Sequence, residues 1–280
     1  METGKVLLSI GIPTYNRARR LQRQLSFLYE ELNSLSSEEK KLISISIRDN
    51  CSSDNTREIV SKSPLLTTID VNSSFTINSQ NLGLSGNLKK LYTTLNGLYI
   101  WIIGDDDDLK KGIVRRVLAE CKKRSYSYVF INHIITKNSS EIHHSVLADL
   151  DVTRTDKTVL WDLYKQSGTV MMLISACVYR SDLVRDYLSH YDVDLVIPCS
   201  LSFYCASKGS TKLIEDTYIT NDQTVISWKK SIVKVFYTLI PSMLLRMSKW
   251  GYNRRDCLNE YFKLKKSYLR PKIKELFHKI

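Results

Sequence analysis

Leu98-Tyr99-Ile100-Trp101-Ile102-Ile103 is an uninterrupted apolar run, and Gly104-Asp105-Asp106-Asp107-Asp108 follows it directly. A short continuous apolar run that ends in turn residues predicts a strand buried on both faces. Four consecutive carboxylates at its end are costly, because like charges this close raise one another's free energy unless a cation neutralises them. Carboxylates two apart, here Asp105 and Asp107, can both reach a hard cation through oxygen, which suits Mg2+ or Mn2+. In a generic loop the same string would be a solvated acidic turn capping the next helix. Its place at the end of a buried strand favours a site.

Working outward, strand-like and helix-like segments alternate. Val6–Ile12 is apolar and β-rich, and Leu21, Leu25, Leu28 and Leu32 fall on one helix face within Arg17–Asn33. Ile43, Ile45 and Ile47 alternate with polar residues, which predicts a strand. Ser53 and Asp54 cap a short helix through Val60, and a weak strand is expected near Thr67–Val71. Leu84–Leu95 and Gly112–Lys123 read as helices, and Tyr126–Ile135 as another strand. This β-α order over roughly residues 5–135 predicts an α/β fold with an open parallel sheet and right-handed crossovers. Beyond it the pattern loosens. Lys137–Asp156 reads as a polar loop, Val170–Tyr179 as a strand, and Ser181–Ser189 and Leu201–Ser207 as helices.

The 280 residues are 43% hydrophobic and 25% charged, with only 10 Gly and 5 Pro, which excludes a disordered or collagen-like chain. The net charge of +12 is concentrated. Residues 229–280 hold 14 Lys+Arg against 3 Asp+Glu, whereas residues 1–228 hold 27 against 26. The organisation expected is therefore a near-neutral domain, 1–228, and a basic amphipathic helical segment, 229–280. No apolar run approaches the ~20 residues of a membrane span, and Met1-Glu2-Thr3-Gly4-Lys5 lacks signal-peptide architecture. Six cysteines without a C-x-x-C pair predict free thiols in a reducing cytoplasm. The adjacent His143-His144 would point to opposite faces of a strand, which argues against zinc.

In open α/β sheets, ligands bind where the strands end. The first predicted strand ends in Pro13-Thr14-Tyr15-Asn16-Arg17, and the second in Asp49-Asn50-Cys51-Ser52-Ser53-Asp54. Asn81-Leu82-Gly83-Leu84-Ser85-Gly86-Asn87 precedes the next helix, and the aspartates end the fourth strand. Together they make a polar, acidic, metal-capable rim. The first turn lacks G-x-G-x-x-G, so a dinucleotide phosphate grip is absent and a diphosphate would need a metal on the aspartates.

These four strings, in this order and spacing, resemble family 2 glycosyltransferases of the GT-A fold over roughly residues 5–125, and more loosely to about 228. The Gly-Asp-Asp-Asp variant is similar to the bacterial surface-polysaccharide branch, including abequosyltransferase-like proteins. The resemblance implies a hexosyl- or deoxyhexosyltransferase acting on a nucleotide-diphosphate sugar, with a saccharide or lipid-linked acceptor, Mn2+ or Mg2+ as cofactor, and inversion at the anomeric carbon. It implies that Pro13, Thr14, Tyr15, Asn16 and Asp49 hold base and ribose, with Asp54 ordering that loop. Asn81, Gly83, Asn87, Asp105 and Asp106 complete the nucleotide-sugar site. Asp107 would ligate the metal, with Asp105 at the other D-x-D position. Many members carry Glu-Asp ahead of the helix that here begins near Leu201, and its Asp is the catalytic base. The matching positions here are Ile197-Pro198, which cannot take a proton. The nearest carboxylates are Asp192 and Asp194, and Asp194 is the preferred base.

In the C-terminal segment, Tyr261, Phe262, Leu264, Tyr268, Leu269, Ile273, Leu276 and Phe277 interleave with Lys and Arg. Helices lying in a membrane interface have this composition, and anionic inner-leaflet lipids would attract it. The expected location is cytoplasmic, peripheral on the inner face of the cell membrane. Nucleic acid is set aside as a partner, because an acidic pocket repels phosphate unless metal is bound. Two other functions compete. A nucleotidyltransferase would show a Gly-rich basic loop after the first strand, which Pro13–Asn16 is not. A non-catalytic binding or scaffold protein on a degenerate transferase fold would explain the missing Glu-Asp pair.

Overall fold

Leu8, Ile10, Ile12, Ile45, Ile47, Ile100 and Trp101 are all fully or almost fully buried. Successive strand side chains point to opposite faces, so this requires a sheet covered on both sides. A computed structural model describes residues 6–138, 140–143, 145–168, 170–222 and 231–277, with the side chains of 142, 143 and 267–277 outside the description. In it these residues lie in β1 (Leu8–Thr14), β2 (Ile43–Asp49) and β4 (Tyr99–Ile102), with β3 (Asn72–Ile77) at the sheet edge. The four strands pair in parallel in the order β3-β2-β1-β4.

The helices between them follow the apolar spacing. α1 (Ala18–Asn33) buries Leu21, Leu25, Leu28 and Leu32 and turns its arginines outward. α2 (Ser37–Lys40) starts in a capping box made by Ser36 and Glu39. α3 (Thr56–Ser61) and α4 (Pro64–Thr67) precede β3, and α5 (Gly83–Thr94) precedes β4. The strand expected near Thr67–Val71 lies at Asn72–Ile77 instead. Pro64 opens α4, because its fixed φ suits a first helical turn, and pairing with β2 begins only at Asn72.

The second half departs further from a parallel reading. The short β5 (Asp108–Leu109) leads to α6 (Ile113–Lys122), β6 (Tyr126–Lys137), β7 (Ser140–His143) and α7 (Thr158–Ser167). β8 (Cys177–Arg180), α8 (Ser181–His190), α9 (Ile197–Lys208) and β9 (Ser210–Asp222) follow. The sheet continues β4-β8-β6-β9-β5, with β7 paired to β6. β8 is antiparallel to both β4 and β6, so the 126–137 strand does not lie beside β4. The strand expected over Val170–Tyr179 is confined to Cys177–Arg180, and two 3-10 turns, Val170–Met172 and Ile174–Ala176, precede it. Those turns bring Ser175 beneath the end of β4, where its carbonyl accepts from Trp101 Nε1 at 2.8 Å. The result is a mostly parallel mixed sheet flanked by helices.

From Ile232 the described residues are mostly helical: α10 (Ile232–Lys234), a π-helical turn (Val235–Leu239), α11 (Ile240–Met247) and α12 (Arg254–Phe277). Pro241 cannot donate to the Tyr237 carbonyl four residues back. Lys265 Nζ of α12 donates to that carbonyl at 2.7 Å instead, fastening α12 to the irregular turn. Val235, Ile240, Met243, Leu244, Met247, Trp250, Tyr252 and Cys257 join the same apolar cluster as the sheet. Trp250 packs edge-on to Tyr187 and Tyr204, and Tyr252 packs edge-on to Phe203 and donates to its carbonyl at 3.0 Å. The basic and apolar side chains beyond 266, and His144, lie outside the described residues. Among the described residues no helix is long and apolar enough to cross a membrane.

Tyr252→Ala should therefore cost about 3 kcal/mol of stability in urea denaturation, the usual range for a buried aromatic. A chain ending at residue 250 should not fold. A loss below 1 kcal/mol for Tyr252→Ala would mean that the C-terminal segment is not part of the core.

Candidate active site at the sheet rim

The parallel strands leave the sheet level with one another. Asn50 N donates to Thr14 O, Asn78 N to Asp49 O and Ile103 N to Gly11 O, each at 2.9 Å. Their terminal loops are therefore neighbours. Asn16, in the left-handed region at φ 50°, donates from its N–H to Ser52 Oγ at 2.8 Å and accepts from Ser53 N at 2.8 Å. Asp49 is buried and accepts from Ser52 N at 3.1 Å. Asp54 accepts from Ala18 N at 3.0 Å and from Thr56 N at 3.1 Å, which ties the β2 loop to the start of α1. Burial opposes ionisation of Asp54, but these hydrogen bonds outweigh it and hold its carboxyl below the usual range.

Asn50 organises the next loop. Its amide donates to Asn81 Oδ1 at 2.8 Å and to Gly83 O at 3.2 Å, and its carbonyl accepts from Leu82 N at 2.9 Å. Gly83 sits at φ +69°, a conformation that side chains disfavour. Asn87 is buried. It accepts from Asn78 at 2.8 Å and donates to Arg48 O at 3.3 Å, so both its polar atoms are engaged as a strut beneath the loop. Tyr15 stands 43% exposed over this rim.

The aspartates divide into two kinds. Asp105, 4% exposed, accepts from Thr14 Oγ1 at 2.8 Å and pairs with Arg17 at 2.9 Å. Asp106 pairs with Arg17 and Arg20, both at 2.8 Å, and Asp108 with Arg23 at 3.0 Å. Among the described residues, Asp107 alone of the four has no cationic partner. Ser175 Oγ donates to it while accepting from Gly104 N at 2.8 Å. Burial first, then the charges of Asp106 and Asp105, push the Asp107 carboxyl up to about 6. Burial also raises Asp105, against Arg17 and Thr14.

A divalent cation implied by the fold fits this arrangement in one respect and is constrained in another. Asp107 offers an oxygen donor whose charge is otherwise uncompensated. A Cβ on Gly104 would lie 2.6 Å from Asp107 Oδ2, so only glycine leaves that carboxylate in place. However, no group of three His, Cys, Asp or Glu among the described residues could hold a metal. The protein would contribute one or two carboxylate oxygens, and substrate phosphates the remainder, a usual arrangement for Mg2+.

Asp194 and Asp192 sit apart in character. Asp194 is half-buried before α9 and accepts from Val196 N at 2.9 Å. Burial raises its carboxyl, while Arg246 and Lys234 of the C-terminal segment oppose the rise. Asp192 is exposed and tied to Lys89 at 2.6 Å, which lowers it. Ile197 and Pro198 form the buried first turn of α9. The functional contacts absent from the sequence reading are those of Arg17, Arg20, Arg23 and Ser175. The three arginines, spaced by three at the start of α1, carried a visible signal. Ser175 carried none, because it meets Asp107 from 68 positions away.

A family model described as glycosyl transferase family 2 matches residues 9–188. Abequosyltransferase RfbV of Salmonella typhimurium is 40% identical over 115 residues, 38% of this chain and 30% of that protein. S. aureus TarS 1–349 in complex with UDP-GlcNAc superposes with TM-score 0.66 at 15% identity, covering 93% of this chain and 73% of that one. A mannosyltransferase from Pyrobaculum calidifontis in complex with GDP-Man and Mn2+ superposes with TM-score 0.54 at 12% identity, covering 88% and 64%. These likenesses establish the GT-A fold.

The raised Asp107 carboxyl has a pH consequence in the metal-free protein. Its folded value of about 6 lies above the ~3.9 of an unfolded aspartate. The folded state therefore binds the extra proton between these values, and stability falls as pH rises through the window. Asp107→Asn should raise metal-free stability at pH 8 by about 2 kcal/mol and leave it nearly unchanged at pH 4. Equal melting shifts at both pH values would show that Asp107 is not held against its charge.

Proposed function

Because the chain belongs to glycosyl transferase family 2, we propose that its rim takes a nucleotide-diphosphate sugar. It would transfer the sugar, of hexosyl or deoxyhexosyl type, to a saccharide or lipid-linked acceptor in surface-polysaccharide synthesis. The observation that carries this reading is the Asp105–Asp108 loop at the end of β4, where Asp105 accepts from Thr14 at the end of β1 and Asp107 has no cationic partner among the described residues. Tyr15 offers an exposed ring for the base. Pro13, Thr14, Asn16 and Asp49, with Asn81 and Gly83, shape a pre-organised pocket for base and ribose, and Asn87 supports it from below. Asp105 and Asp106 border the diphosphate. A bound Mn2+ or Mg2+ would act as a Lewis acid on the leaving diphosphate, with Asp107 and Asp105 as the protein's carboxylates.

Asp194 is the proposed base. A half-buried carboxylate with a raised pKa holds an acceptor proton better than the exposed, lysine-paired Asp192. A base on one face and a leaving group on the other require direct displacement with inversion. Screening nucleotide sugars with Mn2+ against a saccharide or lipid-linked acceptor should give transfer, with an α-linked donor yielding a β-linked product by NMR. EDTA and Asp107→Asn should each lower the rate by two or more orders of magnitude. Undiminished transfer in EDTA would remove the metal from this reading, and a retained linkage would remove Asp194 as base.

The same reading places the protein in the cytoplasm, peripheral on the inner membrane face. Val233, Leu245 and Phe262 are exposed large apolar residues of the C-terminal segment, interspersed with Lys234, Lys249, Arg254 and Lys263. The full chain should sediment with anionic vesicles at low salt and be released at high salt, since each basic residue near such a surface contributes roughly 1 kcal/mol. Failure to bind vesicles at low salt would point to a soluble acceptor.

A further inference from the structure

Asp105, Asp106 and Asp108 are neutralised from within the chain. Arg20 and Arg23 of α1, and Arg17 just before it, meet them at 2.8–3.0 Å. Four carboxylates against three guanidiniums leave the loop with a single uncompensated charge, on Asp107. The three arginines are not equivalent. Arg23 reaches the exposed Asp108, and Arg20 reaches only Asp106. Arg17 alone spans two carboxylates, with Nη1 at 2.9 Å from Asp105 Oδ1 and 2.8 Å from Asp106 Oδ2.

We propose that Arg17 is an exchangeable counter-cation. In the donor-free protein it occupies the Asp105 oxygen that a divalent cation would use, and a donor's diphosphate draws it away. The surrounding contacts allow the exchange. If Arg17 leaves, Asp105 stays oriented through Thr14 Oγ1 on its other oxygen at 2.8 Å, and Asp106 keeps Arg20. Arg17 is 31% exposed and sits one residue before α1, so its side chain has room to turn toward solvent. A guanidinium matches phosphate oxygens in two-point geometry as well as it matches carboxylates. The aspartate loop is thus preformed without metal, and Arg17 becomes a diphosphate-binding residue once displaced. The diphosphate half of this proposal rests on the donor-site reading above.

The test is a titration of Mn2+ into the metal-free full chain without nucleotide, following free Mn2+ by electron paramagnetic resonance. Arg17→Gln should bind Mn2+ about tenfold more tightly than the parent, because one opposing charge is gone and Asp105 is released. Arg17→Lys, which keeps the charge but not the two-point grip, should fall between them. Adding Asp105→Asn to Arg17→Gln should abolish the gain. In EDTA, calorimetry with UDP, GDP, CDP and dTDP should show that Arg17→Gln weakens the best-bound nucleotide about tenfold, whereas Arg23→Gln changes it less than twofold. Near-UV circular dichroism of each variant reports folding, and Arg17→Lys carries the comparison if Arg17→Gln does not fold. Equal or weaker Mn2+ binding by the folded Arg17 variants overturns the proposal, as does absence of Mn2+ binding to every form. If no nucleoside diphosphate binds the parent chain, the donor-site reading and the diphosphate half fall together. The Mn2+ titration then decides whether Arg17 guards Asp105.

Discussion

Charge neutralisation at the end of β4 is the constraint on which the rest of the site depends. An apolar strand that delivers four carboxylates to one point needs cations there, and α1 supplies them. The apolar face of α1 is fixed by Leu21, Leu25, Leu28 and Leu32 in the core, so its arginine face has one available direction. The same helix also holds the far end of the acidic segment. Glu31 is buried and accepts from Gly112 N at 2.8 Å and Val114 N at 3.1 Å, capping α6. One helix thus clamps the segment between β4 and α6 at both ends, with guanidiniums on the aspartates and a carboxylate on the next helix start.

A second fastening comes from the antiparallel strand β8. Ser175 lies just before it, accepts from Gly104 N through its hydroxyl and donates to Asp107, while its carbonyl accepts from Trp101 Nε1. Asp107 is therefore held by a neutral donor where its neighbours are held by charges. That difference leaves it the carboxylate of the four that no cationic side chain among the described residues neutralises. Burial and the charges of Asp106 and Asp105 raise its proton affinity, and only the hydrogen bonds from Ser175 and Gly104 N oppose them.

The C-terminal segment connects to α8, α9 and Asp194 through packing and charge. Trp250 and Tyr252 anchor it to α8 and α9. Arg246 stacks over Tyr191 at 5.3 Å and, with Lys234, acts electrostatically on Asp194. Some of the excess positive charge thus faces a carboxylate inside the fold, and residues such as Lys249 and Arg254 remain at the surface.

The sequence by itself determined the parallel half of the sheet, the helix faces and the four strand-end loops. Each of these is a local pattern: leucines on one helix face, a continuous apolar strand, polar turns at strand ends. It also placed Asp105–Asp108 at the rim where β4 ends, because the carboxylate run follows the apolar strand directly. Tertiary structure alone decided which carboxylate is left free, since Arg17 and Ser175 reach the loop from 88 and 68 positions away. It alone decided that β8 enters antiparallel between β4 and β6, and that Trp250 and Tyr252 belong to the core. Such contacts join residues far apart in the chain, and no local periodicity records them. A carboxylate's charge can be read from its residue type, but its partner is set by where the fold brings the nearest cation.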